Sequence, residues 1–273
     1  MNKVRIAVQI RPQHCDYADM ARALDQAETL GIDIAYTWDH FFPLAVVQST
    51  RHRQFGPSEG KHYEAWTLLA AFAERSKRIL LGTLVTANSY RNPQLLADMA
   101  RTIDHISSGR AILGIGSGWN QRDYEEYGYE YGTAGSRLRD LDAAMPLIKK
   151  RISLLDPQPI GSLPILIGGG GEKVTLRIVA EYADIWHSFG TPDIARHKND
   201  ILDDWCDKVD RNPEEIERAV GVQKQPTDGA AATGDEYHDI GIRQFTIDLD
   251  GPDFNFDGID DWLSWRDRKN APS

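Results

Sequence analysis

Short apolar runs alternate with longer amphipathic segments along most of this chain. The runs have the apolar, β-branched character of buried strands and occupy residues 4–10, 34–38, 79–85, 110–115, 165–167, 183–188, 219–222 and 243–248. Segments with apolar residues at helical spacing lie between them, most clearly at 16–30, 65–75, 92–107, 174–183, 193–209 and 259–268. The pattern predicts eight strands, each followed by a helix.

An α/β chain of 273 residues with eight such units is typical of a (β/α)8 TIM barrel. A doubly wound open sheet is the alternative that the same alternation allows. Because the chain has no convincing linker, internal repeat or low-complexity tract, we expect residues 1–273 to form one domain. A barrel would place its chemistry at the C-terminal ends of the strands.

Polar residues and glycines stand at those predicted strand ends. In chain order the ends carry Asp39-His40, Thr83-Leu84-Val85-Thr86-Ala87-Asn88, Gly116-Ser117-Gly118-Trp119, Gly168-Gly169-Gly170-Gly171 and Trp186-His187-Ser188. Their repeated occurrence at one end of the predicted barrel indicates a functional site more strongly than any single motif does.

The glycine run after the fifth strand is the clearest binding motif. Without Cβ atoms, backbone N–H groups can surround an anion, and the following helix adds its positive N-terminal dipole. A tight turn is the alternative, but four consecutive glycines exceed what a turn needs. We therefore predict phosphate binding at this run. Gly116-Ser117-Gly118 is a second candidate loop, although it lacks the third glycine of a dinucleotide-binding fingerprint.

The histidines admit functional and structural interpretations. Asp39 could orient the His40 imidazole for proton transfer, or it could cap a helix beside a partly buried histidine. His52 and His62 lie in the long loop after the second strand, where a solvated position is favoured over metal ligation. Trp262 and Trp265 share one helix face and are interpreted as packing residues.

Composition narrows the possible partners. The net charge of −10 and a pI of about 5.3 disfavour nucleic-acid binding. The two cysteines form neither a metal-ligand spacing nor a disulfide framework, and no signal-peptide pattern or apolar run of roughly 20 residues is present. We expect a cytoplasmic protein that binds a small-molecule substrate, with no nucleic-acid or membrane partner, and leave a homodimer open.

Several stretches together resemble the luciferase-like monooxygenase superfamily, and most closely its branch of F420-dependent oxidoreductases. The matching motifs are Tyr63-Glu64-Ala65-Trp66, Leu81-Gly82-Thr83-Leu84-Val85, Arg91-Asn92-Pro93, Ser108-Gly109-Arg110, Leu113-Gly114-Ile115-Gly116-Ser117-Gly118-Trp119, Arg137, Ile165-Leu166-Ile167-Gly168-Gly169-Gly170 and Ala183-Asp184. The family fold is a TIM barrel, in agreement with the strand count. The resemblance implies hydride transfer between C5 of a deazaflavin coenzyme and a small organic substrate.

The resemblance also implies roles for residues beside the coenzyme ring. Asp39 would contact the ring system, and His40 would lie near the reacting face as a proton donor. The Thr83–Leu84 bond falls where the family has a non-proline cis peptide that supports the ring. Thr86 falls where a side chain contacts the coenzyme.

By the same resemblance, the glycine loops would hold the phosphate end of the coenzyme. The residues concerned are Ser117, Gly118, Gly168, Gly169, Gly170 and Gly171. The sugar-phosphate dehydrogenases of the family carry a glutamate directly after the Gly-x-Gly turn, whereas this chain has Trp119. This departure disfavours that substrate class, and we expect Trp119 to line the substrate pocket.

Two other functions are compatible with the sequence. FMN could replace F420, because the phosphate loops serve either cofactor, although Asp39-His40 and Gly116-Ser117-Gly118-Trp119 favour the deazaflavin. A barrel that binds a ligand without catalysis is the second. A metal-dependent hydrolase is disfavoured, since the first strand ends in Gln9-Ile10-Arg11 without a His-x-His pair to hold a metal. The sequence names neither the substrate nor the direction of hydride transfer.

Overall fold

Eight parallel strands close into a barrel in the computed structural model, which describes residues 3–44 and 57–272. The strands are β1 Arg5–Ile10, β2 Ile34–Asp39, β3 Leu80–Ala87, β4 Ala111–Gly116, β5 Ile165–Gly168, β6 Ile185–Ser188, β7 Glu217–Val222 and β8 Gln244–Leu249. Each strand pairs with its neighbours in sequence, and β8 pairs with β1. The closed order confirms the (β/α)8 barrel, and the open-sheet alternative is wrong.

Helices surround this barrel. Over the described residues they are α1 Tyr17–Leu30, α2 Ala65–Arg75, α3 Pro93–Ile106, α4 Gln121–Tyr127, α5 Ala134–Leu154, α6 Thr175–Tyr182, α7 Pro192–Lys208, α8 Gly229–His238 and α9 Ile259–Asn270. The sequence pattern located all of these except α4, α5 and α8. The α5 helix buries only five of its 21 residues, so its apolar stripe is thin. None of the described helices has the length and apolar character needed to cross a membrane.

Side-chain caps fix the start of two helices that follow barrel strands. Asn92 Oδ1 accepts hydrogen bonds from the backbone N–H groups of Gln94 and Leu95 at the start of α3. The Glu64 carboxylate caps α2 in the same way. Each cap satisfies N–H groups that have no partner within the helix. The first turns of α2 and α3 are thereby held beside the C-terminal end of the barrel.

The strand residues alternate between two hydrophobic clusters. In β1, Ile6 and Val8 face the helices, whereas Ala7 faces the inside of the barrel. The inner cluster consists of Ala7, Ile34, Tyr36, Ile112, Leu166, Ile185 and Ala219. Trp262 and Trp265 of α9 are almost completely buried in the outer cluster, which confirms their interpretation as packing residues.

The third and fourth strands approach each other closely at Gly114. A Cβ atom at this position would overlap the carbonyl oxygen of Thr83, so a side chain cannot be accommodated without a backbone shift. The Thr83 hydroxyl donates a hydrogen bond to the Gly114 carbonyl at 2.6 Å. The pairing register between these strands shifts between Gly82 and Thr86. This irregular part of β3 contributes Leu84 and Val85 to the lining of a cavity.

Candidate active-site cavity

A cavity of about 310 Å³ opens at the C-terminal ends of the strands, with a mainly apolar and aromatic lining. Eight of the residues predicted from the sequence line it, namely Asp39, His40, Leu84, Ser117, Gly118, Trp119, Gly168 and Gly169. Thr83, Thr86, Gly170 and Gly171 lie outside this lining. The barrel therefore brings together residues that are up to 130 positions apart in the chain, as expected from the strand ends.

His40 borders this cavity, and a buried carboxylate holds its imidazole. The Nδ1 atom lies 2.6 Å from Oδ2 of Asp123, whose side chain is fully buried at the start of α4. The interpretation in which Asp39 orients His40 is wrong. Successive side chains of an extended segment point in opposite directions, so adjacent residues rarely reach one another.

Four hydrogen-bond donors converge on the Asp123 carboxylate. Its Oδ2 atom accepts from Tyr90 at 2.8 Å and Asn120 at 2.9 Å in addition to His40, and Oδ1 accepts from the Phe41 backbone N–H at 3.1 Å. Burial acts to raise the pKa of Asp123, but the hydrogen bonds from His40 and Tyr90 outweigh it, and the pKa lies below its ordinary value. The carboxylate is therefore held in its charged form.

Asp39 forms an ion pair with Arg91 rather than with a histidine. Arg91 Nη1 lies 2.5 Å from Asp39 Oδ2, and Arg91 Nη2 lies 2.5 Å from the Glu64 cap. Burial raises the pKa of Asp39, while the guanidinium opposes this effect. The Thr86 hydroxyl donates to Asp39 and accepts from Trp66 Nε1 at 2.8 Å. Thr86 thus lies behind the cavity wall, and its contact with a coenzyme stays a prediction.

The non-proline cis peptide joins Leu84 to Val85, one residue later than predicted. The placement at Thr83–Leu84 is wrong because β3 shifts register here, which the spacing of residues in the sequence does not reveal. Leu84 and Val85 both line the cavity, whereas Thr83 is fully buried behind them. Gln9 Nε2 donates to the Leu84 carbonyl at 2.8 Å, which ties this wall to β1.

Glycines of β4 and β5 make room for side chains that shape the cavity. A Cβ atom on Gly116 would lie 2.9 Å from Val85 Cγ2, and one on Gly168 would lie 3.0 Å from Val85 Cγ1. Gly118 has a φ of +79°, and a Cβ atom there would overlap the Tyr124 hydroxyl. Packing therefore requires a glycine at position 118, and a side chain at Gly116 or Gly168 would force Val85 to shift. These reasons are separate from phosphate binding.

The glycine run after β5 divides between two depressions. Gly168 and Gly169 line the cavity, whereas Gly170 and Gly171 line a second depression of about 340 Å³ at the start of α6. The backbone of Gly169 belongs to the barrel, because its N–H donates to the His187 carbonyl and its own carbonyl accepts from Trp186 Nε1. The prediction that both glycine loops contact one anion is not tested by this arrangement.

Cationic side chains accompany the second depression. Besides the two glycines, its lining consists of Leu138, Glu172, Lys173, Val174, Thr175 and Lys198. Lys198 Nζ lies 2.5 Å from Glu172, so one of the two lysines is already paired. The depression combines glycine backbone, a helix start and a lysine, a combination that suits an anion.

Two exposed aromatic rings flank the main cavity. Trp119 is 51% exposed and Phe189 is 54% exposed, although both line the cavity. The Trp119 ring meets His40 edge-on at 5.6 Å, and the Phe189 ring meets His187 edge-on at 5.0 Å. Each aromatic side chain thus covers one histidine of the cavity wall and leaves apolar surface facing solvent.

Comparison with protein families assigns this architecture. The sequence model of the luciferase-like monooxygenase family matches residues 3–258. The chain belongs to this family. Among the relatives of this luciferase-like chain is a protein named F420-dependent glucose-6-phosphate dehydrogenase, of Amycolatopsis mediterranei, with 30% identity over 184 residues, 60% of this chain and 50% of the relative. The chain thus spans about half the length of this relative.

Solved structures show the same luciferase-like fold. An F420-dependent secondary alcohol dehydrogenase in complex with an F420–acetone adduct superposes with a TM-score of 0.80 at 16% identity, covering 96% of this chain and 98% of that one. The F420-dependent tetrahydromethanopterin reductase of Methanopyrus kandleri superposes with a TM-score of 0.73 at 14% identity, covering 97% and 98%. At these identities the likeness establishes the fold.

Several residues of this luciferase-like site are not evident from the sequence. Asp123 binds both Tyr90 and His40, and Phe189 lines the cavity. The signal for Asp123 was available in principle, because Asn120 begins a helix whose first turn contains this acid. Nothing in the local sequence indicated that this carboxylate would turn inward to His40.

His62 of the luciferase-like barrel is expected to make stability depend on pH. Its Nε2 atom accepts from Trp38 Nε1 at 3.3 Å, and burial lowers its pKa from 6.5 to about 4. Between these pH values the unfolded chain binds more protons at His62 than the folded chain does. The contribution of His62 to stability is therefore fully present above pH 6.5 and is lost as the pH drops toward 4. We expect the free energy of unfolding of His62→Gln to fall by on the order of 2 kcal/mol less than that of wild type over this pH range. Denaturant unfolding of both proteins across that range measures it, and parallel pH profiles would contradict the prediction.

His52, the other histidine of that loop, lies outside the described residues. Over residues 3–44 and 57–272, no three His, Cys, Asp or Glu side chains group closely enough to hold a metal ion.

Proposed function

We propose that this chain is an F420-dependent oxidoreductase that transfers a hydride between C5 of the deazaflavin and a small organic substrate. The observation that carries the proposal is one cavity whose lining contains both His40, which is bonded to the buried Asp123, and the glycines at the ends of β4 and β5. A relative named for F420 dependence and solved structures of F420-dependent enzymes with the same fold support the choice of coenzyme.

The cavity wall fits a flat and largely apolar ring. Val85 fills the space left by Gly116 and Gly168, and Leu84 and Trp38 extend the apolar lining. A Cβ atom at either glycine would crowd the Val85 methyl groups and force that side chain to shift. When bound, the coenzyme would supply the hydride chemistry at C5, and the protein would bind and orient it.

The second depression suits the anionic end of the same coenzyme. It lies directly after the cavity along the glycine run, with Gly170 and Gly171 at the start of α6. Lys173 is exposed there and adds positive charge. Phosphate oxygens would meet glycine backbone and the positive end of the helix dipole.

His40 is the candidate for proton transfer in this proposal. With Nδ1 committed to Asp123, Nε2 is the ring nitrogen left to exchange a proton with a substrate oxygen. Trp119 offers no carboxylate for that step, so it would wall the substrate pocket and exclude water. Together with Phe189 it favours a substrate with an apolar body over a sugar phosphate.

Equilibrium titration with F420 and with FMN tests the coenzyme. We expect F420 to bind at least roughly tenfold more tightly than FMN, which corresponds to about 1.4 kcal/mol. Absorbance changes of each cofactor and calorimetry provide two independent readouts. Tighter binding of FMN would favour the flavin alternative, and binding of neither would favour a barrel with another ligand.

A single glycine substitution tests where the anionic end binds. We expect Gly170→Val to weaken F420 binding at least roughly tenfold, because the added side chain would cover the proposed phosphate-binding position. A Cβ atom at Gly170 would have only Lys198 Cε nearby, at 4.0 Å, so folding should be unaffected. Gly135→Val in α5 is the matched control, since the nearest atoms there lie at 3.7 Å. Equal F420 affinity of the Gly170 variant and wild type would show that the phosphate binds elsewhere.

A further inference from the structure

We propose that Asp123 is the positioning residue of this site: it fixes His40 as the tautomer that carries its proton on Nδ1 and presents Nε2 to the cavity. The consequence for turnover rests on the proposed function. The tautomer itself does not, because it can be observed in the protein without coenzyme or substrate.

The geometry of the carboxylate carries this inference. Asp123 Oδ2 lies 2.6 Å from His40 Nδ1, and an ionised carboxylate can only accept hydrogen bonds. The pKa of Asp123 lies below its ordinary value, with burial opposed by the bonds from His40 and Tyr90. A charged acceptor at this distance requires a proton on Nδ1, which leaves Nε2 as the nitrogen with a free lone pair when the ring is neutral.

The surroundings of Asp123 are built to keep it an acceptor. Tyr90, Asn120 and the backbone of Phe41 all donate hydrogen bonds to the carboxylate. None of these neighbours accepts the proton that His40 carries on Nδ1. Burial and the neighbouring carboxylate raise the pKa of Tyr90, which keeps its hydroxyl protonated as a donor. The side chain of Asp123 has no exposed surface, so water does not replace these donors.

A neutral amide cannot reproduce this arrangement. Two carboxylate oxygens accept from four donors, whereas the amide side chain in Asp123→Asn has one oxygen and one NH2 group. If the amide oxygen of this variant faced Phe41, its NH2 group would face His40 and require the opposite tautomer. If the orientation were reversed, two N–H groups would oppose each other at Phe41.

In the proposed reaction the tautomer decides which proton moves. In the oxidising direction, a substrate O–H would give its proton to Nε2 while the C–H hydride passes to the coenzyme, leaving a carbonyl group and an imidazolium paired with Asp123. In the reducing direction the same proton would return from Nε2 to the oxygen. Asp123 stays ionised throughout and stabilises the charged ring.

Nitrogen-15 NMR of histidine-labelled protein without ligand tests the proposal. At alkaline pH, long-range proton–nitrogen spectra distinguish the two neutral tautomers, and the spectrum of a His40→Gln variant assigns the His40 signals. We expect wild type to show His40 with its proton on Nδ1, and Asp123→Asn to lose that state as the sole form. A wild-type proton on Nε2, or an unchanged tautomer in Asp123→Asn, would overturn the proposal.

Two further variants separate positioning from folding. Tyr90→Phe retains the carboxylate and is expected to retain the Nδ1 tautomer, which keeps the test decisive if Asp123→Asn does not fold. Asp140→Asn alters an exposed carboxylate of α5 and is the matched control, with a wild-type spectrum expected. A changed His40 tautomer in Tyr90→Phe would show that the tyrosine, rather than the carboxylate, determines which ring nitrogen carries the proton.

Kinetics then connect the tautomer to the proposed function. With a turned-over substrate, we expect Asp123→Asn to lower kcat about 10²-fold while coenzyme affinity is retained. If Asp123→Asn shows the expected tautomer change but keeps the wild-type kcat, Asp123 remains the positioning residue. The role of His40 in turnover would then be contradicted. An unchanged tautomer would contradict the positioning assignment whatever the rate.

Discussion

Replacement of His40 by alanine is expected to lower turnover by about 10²- to 10⁴-fold, the usual contribution of a positioned general acid or base. The imidazole borders the cavity and is held through Nδ1 by Asp123, so its loss removes the group that would exchange a proton with the substrate. Coenzyme affinity should change little, because the glycine-lined wall and the second depression are left intact. Steady-state kinetics and F420 titration of the same preparation separate these two effects.

This measurement needs a substrate, which a screen of alcohols and unsaturated carbonyl compounds with oxidised and reduced F420 would supply. His105→Ala is the matched control, since this histidine lies on α3 and bonds the Gln158 carbonyl away from the cavity. We expect the control to turn over as wild type does. If His40→Ala also retained the wild-type rate near neutral pH, the proton would come from another donor or from solvent.

Substitution of Gly114 by alanine is expected to destabilise the barrel by about 3 kcal/mol, at the upper end of the usual cost of overpacking. The added methyl group would overlap the Thr83 carbonyl oxygen, and a backbone atom cannot move aside as a flexible side chain can. For a chain of this size the corresponding fall in melting temperature is roughly 6–12 °C. Thermal unfolding followed by circular dichroism measures it.

Gly135→Ala provides the control for this stability test. Gly135 lies in the first turn of α5, where the nearest atoms to an added Cβ are 3.7 Å away. Alanine has the higher helix propensity, so we expect an unchanged or slightly raised melting temperature. Equal melting temperatures for Gly114→Ala and wild type would show that β3 and β4 can separate at this point without loss of stability.

The alternation of apolar runs and amphipathic segments predicted eight β/α units, and the closed strand order of the structure then excluded the open sheet. Each strand of a parallel barrel is buried on both faces, so its sequence is a continuous apolar run that local composition reveals. The strand ends were predicted to within about two residues, and Asp39, His40 and Trp119, which follow or end those strands, line the cavity; their roles stay predictions. Helices α5 and α8 were not predicted because their apolar and polar residues are only weakly segregated between the two faces of the helix.

Only the tertiary structure decided which of these residues contact one another. The acid beside His40 in sequence pairs with Arg91, while the acid that holds the imidazole lies 83 positions away. The shift of the cis peptide to Leu84–Val85 depends on the irregular pairing of β3 with its neighbours.

The glycines show the same division. The sequence predicted their location after β4 and β5 and their suitability for an anion. That Gly116 and Gly168 also make space for Val85 follows from packing across three strands. Local sequence determines secondary structure through apolar periodicity and caps, whereas partners across the barrel depend on register and side-chain direction, which short stretches of sequence do not encode.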